Sequence, residues 1–255
     1  MRSFLSSVRV VAAKEFRDCW RNLWLIVGSA LFACLSLAVA LEAVMTSVVT
    51  LGVFLIPLIA VLISYDAFVG EQEHGTLILL LTYPLSRTAL LTGKLLGQSA
   101  ALGVCLLLGF SVLPLLTVLN VLPYDLTRLS LLTAVLIFSG CLLGLVFILI
   151  SLTISLLAKN KARALGVLLS IWLLSVLFYD LGLLIITIAF EHQIRNEFLN
   201  ICLAANPASA FRLFNQQLLE NSTIPLQTAW LGVYLCLWSA VLFVLDRFIL
   251  NKRTF

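Results

Sequence analysis

The sequence predicts an all-α integral membrane protein: six transmembrane helices, an amino-terminal interfacial amphipathic helix, and both termini in the cytoplasm. Three observations carry that expectation. Of 255 residues, 62% are hydrophobic and 11% charged, with a mean hydropathy of +1.13, too little charge to cover a soluble domain. The apolar residues form runs of about 20, the length a helix needs to cross a hydrocarbon core of about 30 Å. Lysine and arginine gather on alternate connections, as positive-inside orientation requires.

Residues 1–22 open the chain. Leu5, Val8, Ala12, Phe16, Cys19 and Leu23 recur at intervals of three and four, while Arg9, Lys14, Arg17, Asp18 and Arg21 lie largely around the rest of the wheel. That spacing predicts an amphipathic helix in the cytoplasmic interface. The six-helix transmembrane domain follows over 23–255. Its spans are expected at Leu23–Leu41, Val44–Ser64, Leu95–Leu119, Leu129–Ala158, Ala164–Phe190 and Thr228–Leu245, with a tight turn at Glu42 and another at Pro123-Tyr124-Asp125. The runs are continuously apolar rather than alternating, which argues against an outer-membrane barrel. Ala40-Leu41-Glu42-Ala43 looks like a signal cleavage box, but the apolar stretch before it is too long for one, so the first span is expected to remain.

Orientation rests on Lys and Arg alone. One side carries Arg2, Arg9, Lys14, Arg17, Arg21, Arg87, Lys94, Lys159, Lys161, Arg163, Arg247, Lys252 and Arg253; the other has only Arg128, Arg195 and Arg212. The net charge of +4 is therefore a topology signal and not a nucleic-acid surface.

Several chemistries lack their residues. Asp180, in LFYDLGLL, is the acid expected well inside a span, where a charge is costly. It reads either as a pathway residue or as a structural acid bonded to a neighbouring helix. Glu71 and His74 have the E-x-x-H spacing of carboxylate-bridged metal sites, but no second pair accompanies them. No C-x-x-C occurs, and no metal is expected. No G-x-x-x-x-G-K-[ST] loop occurs either, so nucleotide hydrolysis belongs to another chain. Gly93-x-x-x-Gly97 and Gly140-x-x-x-Gly144 permit close helix approach and read as packing. Asn221-Ser222-Thr223 is a weak glycosylation match.

The segment 66–87 interrupts this apolar chain with Asp66, Glu71, Glu73 and His74, then Gly75-Thr76, a leucine run, Tyr83-Pro84 and Arg87. A helix leaving the second span is expected to end at Gly75 in a left-handed cap. Thr76 would then N-cap a short turn over Leu77–Leu81, broken at Tyr83-Pro84. Such a transverse helix suits the groove of a soluble partner; the other reading is an interfacial re-entrant bend that only rests in headgroups.

The order Glu71, Gly75-Thr76, leucines, Tyr83-Pro84, Ser86-Arg87 and Gly93-Lys94 resembles the signature of type-2 ABC transporter permeases. The opening Ala13-Lys14-Glu15-Phe16-Arg17-Asp18 is similar to that family's start. PLIAVLISYDAFVGEQEHGTLILLLTYPLSR, FYDLGLL and Asn206-Pro207 followed by Phe211-Arg212-Leu213 look like the branch that serves maturation of the copper enzyme nitrous-oxide reductase. A very short connection around Glu42–Ser47 departs from that branch.

The resemblance implies a non-catalytic homodimeric permease in the bacterial inner membrane, joined to two ABC ATP-binding subunits that hold the ATP and Mg. It also implies a periplasmic β-helix partner. Asp66, Glu71, Glu73, Gly75, Thr76, Tyr83, Pro84 and Arg87 would couple to the ATPase, with Glu71 adding charge to the docking surface. Asn206, Pro207, Phe211 and Arg212, in the external loop 191–227, would dock the outer partner. The alternative reading is a generic exporter of drug, lipid or peptide; a secondary carrier or an intramembrane hydrolase would need polar groups at depth that are missing.

Overall fold

A computed structural model describes residues 4–21, 23–39, 44–76, 86–121, 125–189, 201–203, 205–220 and 226–252. Among them there is no strand. The helices are α1 (Phe4–Arg21), α2 (Leu23–Val39), α3 (Val44–Ser64), α4 (Val69–Glu73), α5 (Arg87–Phe110), α6 (Val112–Val118), α7 (Leu126–Leu157), α8 (Lys161–Leu173), α9 (Tyr179–Ala189), α10 (Pro207–Glu220) and α11 (Leu226–Lys252). A π-helical turn, Leu174–Phe178, joins α8 to α9.

Local chemistry accounts for the boundaries. Ser86, Asp125 and Asn160 cap the starts of α5, α7 and α8, their side chains accepting from Ala89 N, Thr127 N and Arg163 N. Ser111 separates α5 from α6. Pro114 lies four residues beyond Phe110, where its ring would strike the Phe110 carbonyl in a continuous helix.

Five helical stretches are long and apolar enough to cross a membrane, and six if α1 and α2, which meet at 66°, count as one bent span. The α7 stretch is 61% buried and the α8–α9 stretch only 6%. One runs through the middle of the bundle and the other lies on its flank. Around α7 the core joins Ile56 of α3, Leu102 and Leu106 of α5, and Leu143 and Phe147 of α7 itself. Phe32 and Phe110, both buried, stack obliquely at 5.0 Å between α2 and α5. Both G-x-x-x-G pairs serve packing inside this chain. A methyl on Gly144 would collide with Leu102 Cδ2.

Two sequence expectations change. α11, the helix of the expected sixth span, runs on to Lys252, which places Asp246 inside it, fully buried; Asp180 is therefore not the sole acid within a span. On α1, the buried face is Ser7, Val8, Val11, Glu15 and Cys19, whereas Leu5 is exposed. The inner stripe follows contact with α5 rather than apolarity, and so admits an acid.

Candidate functional site

The charged segment begins where α3 ends. Ser155 Oγ on α7 accepts from both Phe68 N and Val69 N at 3.0 Å, which pins the turn between α3 and α4 to the central helix. After α4 the chain reaches Gly75 at φ +69°, a left-handed conformation that a β-carbon disfavours. Thr76 Oγ1 donates to Glu71 O at 3.2 Å. Thr76 is itself helical, across the turn at 74–75 from α4. Tyr83 and Pro84, with the transverse helix expected at 77–81, lie outside the described residues.

α1 lies against α5 because Gly93 and Gly97 leave room for it. A methyl on Gly97 would stand 2.6 Å from Ala12 O and from Glu15 Cβ, and one on Gly93 2.5 Å from Val11 Cβ. The close approach delivers Glu15 to Lys94, which is 1% exposed. Lys94 Nζ donates to Glu15 Oε1 at 2.8 Å and to Glu71 Oε1 at 2.9 Å, and sits 5.2 Å from the Phe68 ring centre. Lys14 Nζ donates to Glu71 Oε1 at 2.9 Å and lies 3.4 Å from Glu15 Oε1 and 3.7 Å from Asp18 Oδ2. Gln98 Nε2 reaches Glu15 Oε2 at 3.4 Å. Among the described residues, Glu71 Oε2 and Gln98 Oε1 are buried without a hydrogen-bond partner.

Burial works against the Glu15 carboxylate, but Lys94 and then Lys14 outweigh it and keep its carboxyl below the usual value. Burial likewise works against Lys14, and the negative charges of Glu71 and Glu15 raise its ammonium regardless. Glu71 consequently faces inward, as an internal anchor. The reason is the pair of lysines brought to it by α1 and α5.

The rest of the segment is tied to α8 and α11. Glu73 Oε1 accepts from Lys161 N at 2.8 Å; Lys161 Nζ is 3.9 Å from Asp66 Oδ2 and 3.5 Å from His74 Nε2. Arg87 Nη1 donates to Leu250 O at 2.7 Å and Asn251 O at 3.1 Å, satisfying carbonyls at the end of α11. A cavity of about 340 Å³ lies among Lys14, Asp18, Asp66, Glu71, Lys94 and Lys161. Asp66, Glu71, Glu73, Gly75 and Thr76 are thus brought together, and Arg87 serves a different junction. Sequence reasoning missed Glu15, Lys94 and Lys161 as site residues. A signal existed for the first two: Glu15 lies four residues from both Val11 and Cys19, and Lys94 follows the first glycine of G-x-x-x-G.

Away from this cluster, Asp180 Oδ2 pairs with Arg212 Nη1 at 2.8 Å, and Ser209 Oγ donates to Asp180 Oδ1 at 2.8 Å. Asn206 Nδ2 donates to the Ser175 carbonyl in the π turn, and Tyr179 OH to Cys202 O at 2.6 Å. Asn206, Pro207 and Phe211 are buried, so α10 uses them to pack against its own bundle. Arg212 is taken up by Asp180. Among the described residues no group of three or more His, Cys, Asp or Glu is placed to hold a metal.

Residues 37–254 match the family model described as ABC-2 family transporter protein. The chain is 36% identical to a probable ABC transporter permease protein NosY of Stutzerimonas stutzeri, across 98% of this chain and 99% of that relative. It is 35% identical to a protein of the same description from Pseudomonas aeruginosa, across 96% and 98%.

Proposed function

Because this chain belongs to the ABC-2 transporter family, as a multi-pass permease of the NosY type, we propose that it converts ATP hydrolysis on a separate subunit into movement of its own spans. The observation that carries the reading is the attachment of residues 66–76. Hydrogen bonds and ion pairs tie this short segment to α1, α5, α7 and α8, so a displacement there is shared by four helices at once. The ATP-binding subunit meets the segment on the cytoplasmic side, where both termini also lie, and holds the ATP and Mg. Two copies of the permease, each with one ATPase, make the working unit in the bacterial inner membrane.

The resemblance of residues 57–87 and 178–184 to the maturation branch supports a role in assembling the copper enzyme nitrous-oxide reductase, with a periplasmic β-helix protein on the outer side. Since Asn206, Pro207 and Phe211 are internal, that partner would meet other parts of 191–227. Asp180 and Arg212 join span five to α10, and their separation would accompany opening toward the outside.

The test is mass spectrometry of what accompanies a tagged copy extracted gently from native membranes. An ATP-binding subunit together with a periplasmic β-helix protein supports the maturation role. The ATPase alone, with copper-loaded reductase in a strain lacking the permease, favours a generic exporter. No ATPase, in membranes that contain it, overturns the coupling reading.

A further inference from the structure

We infer that Lys94 is the positioning residue that makes the amino-terminal helix a moving part of the transmission, so that α1 travels with the segment 66–76 instead of serving only as an interfacial anchor. The inference rests on the coupling reading above. It starts from the sharing of one buried ammonium between carboxylates of two elements, Glu15 on α1 at 2.8 Å and Glu71 on α4 at 2.9 Å. A charge this deeply buried cannot be left without a counter-charge, because removing one partner strands the other in a low-dielectric site. When Glu71 shifts, Lys94 must follow it and draw Glu15, or stay with Glu15 and give up Glu71. Either way the position of α1 and the position of α4 are linked through the same nitrogen.

The surroundings provide for both arrangements. Gln98, one helical turn beyond Lys94 on α5, holds a buried acceptor, Oε1, unpartnered among the described residues, as Glu71 holds Oε2. Lys14 reaches Glu71 from α1 as a second tether, and is half exposed. The adjoining cavity of about 340 Å³ gives side chains space to exchange partners without repacking the core. Gly93 and Gly97 hold α1 so near α5 that the link is short and stiff. A network with a spare acceptor, a spare tether and free volume has two discrete states available, which is what physical coupling between elements requires.

The experiment is amide hydrogen exchange on the permease–ATPase complex in lipid nanodiscs, without nucleotide and after trapping with ATP and vanadate. Peptides covering residues 4–21 and 66–76 are followed in the parent and in Lys94→Met, Lys94→Arg and Glu15→Met. Glu15→Met keeps the Lys94–Glu71 pair and so reports even if Lys94→Met fails to assemble. In the parent, trapping is expected to change exchange at least twofold in both segments. In Lys94→Met and Glu15→Met the response of 66–76 should persist while that of 4–21 falls at least twofold, the Lys14–Glu71 pair leaving a remainder, and Lys94→Arg should restore it. A purely structural role would instead raise exchange of 4–21 in both states and leave its response to nucleotide intact. That result, or an α1 silent in the parent while 66–76 responds, overturns the inference alone. Silence of 66–76 in the parent overturns it together with the coupling reading beneath it.

Discussion

Lys94 is the buried partner of two carboxylates, so its replacement by an apolar isostere leaves them only the half-exposed Lys14. Lys94→Met is expected to lower stability by about 3–5 kcal/mol, the usual cost of breaking a buried ion pair from one side, read as a fall in the thermal unfolding midpoint in detergent. Glu15 sets a pH dependence. Its folded carboxyl lies below the ordinary 4.5, so its contribution is complete above that value and is lost as the pH falls through the lower folded one. The Glu15 contribution to the unfolding midpoint should hold steady from pH 7 to about 5 and be lost below that, so the drop on the acid side should be smaller in Glu15→Gln. Asp246 is a different case. Thr153 Oγ1 donates to its Oδ1, and Oδ2 has no partner among the described residues. Thr153→Val leaves both oxygens unsatisfied and should cost about 1–3 kcal/mol, checked by the same thermal measurement.

Among elements, the informative joints are those where a side chain of one helix completes the end of another. Arg87, the first residue of α5, occupies two carbonyls of the last turn of α11. Arg87→Ala should therefore speed amide exchange over 247–252 several-fold while leaving α7 unchanged, as mass spectrometry of exchanged peptides would show. Gly97 matters through shape: any side chain there meets backbone of α1. Gly75 matters through conformation alone, since nothing stands within 4 Å of the position a β-carbon would take. Gly75→Val is thus a clean probe of the left-handed turn, costing about 1–2 kcal/mol with no steric collision. If the turn shapes the docking segment, the variant should hydrolyse ATP in complex with its ATPase but transport less per ATP.

At the scale of the molecule, the uneven burial of the spans is the main fact. α7 is enclosed, and the α8–α9 stretch presents Leu177, Leu181, Leu184, Ile185 and Ile188 outward. That apolar face meets lipid or, in the homodimer proposed above, a second copy. Cysteine placed at Ile185, which is 65% exposed, should give a dimer-sized cross-link in membranes treated with a mild oxidant, against a background with Cys34 and Cys236 replaced; a control at Leu131 on α7 should not. Monomer alone from Ile185→Cys would move the dimer contact to another face.

The class and order of this molecule were legible in its sequence because each depends on neighbours along the chain. Continuous apolar runs cannot remain in water, which made the helices countable, and a glycine after a charged turn marked the positive φ that Gly75 adopts. G-x-x-x-G pairs read as packing because small residues admit a second backbone. Side chains that meet across long stretches of chain were not legible. Glu71 reads as a surface acid until α1 and α5 bring Lys14 and Lys94 to it, and Arg212 reads as a loop cation until α10 folds back onto Asp180. Asp246 was hidden because its helix continues past the point where hydropathy falls. Hydropathy and turn chemistry are local, and they determined the membrane class and the helices. Burial and ion pairing depend on which helices lie together, so only the tertiary structure decided which charges face inward and hold the segment 66–76 to the bundle.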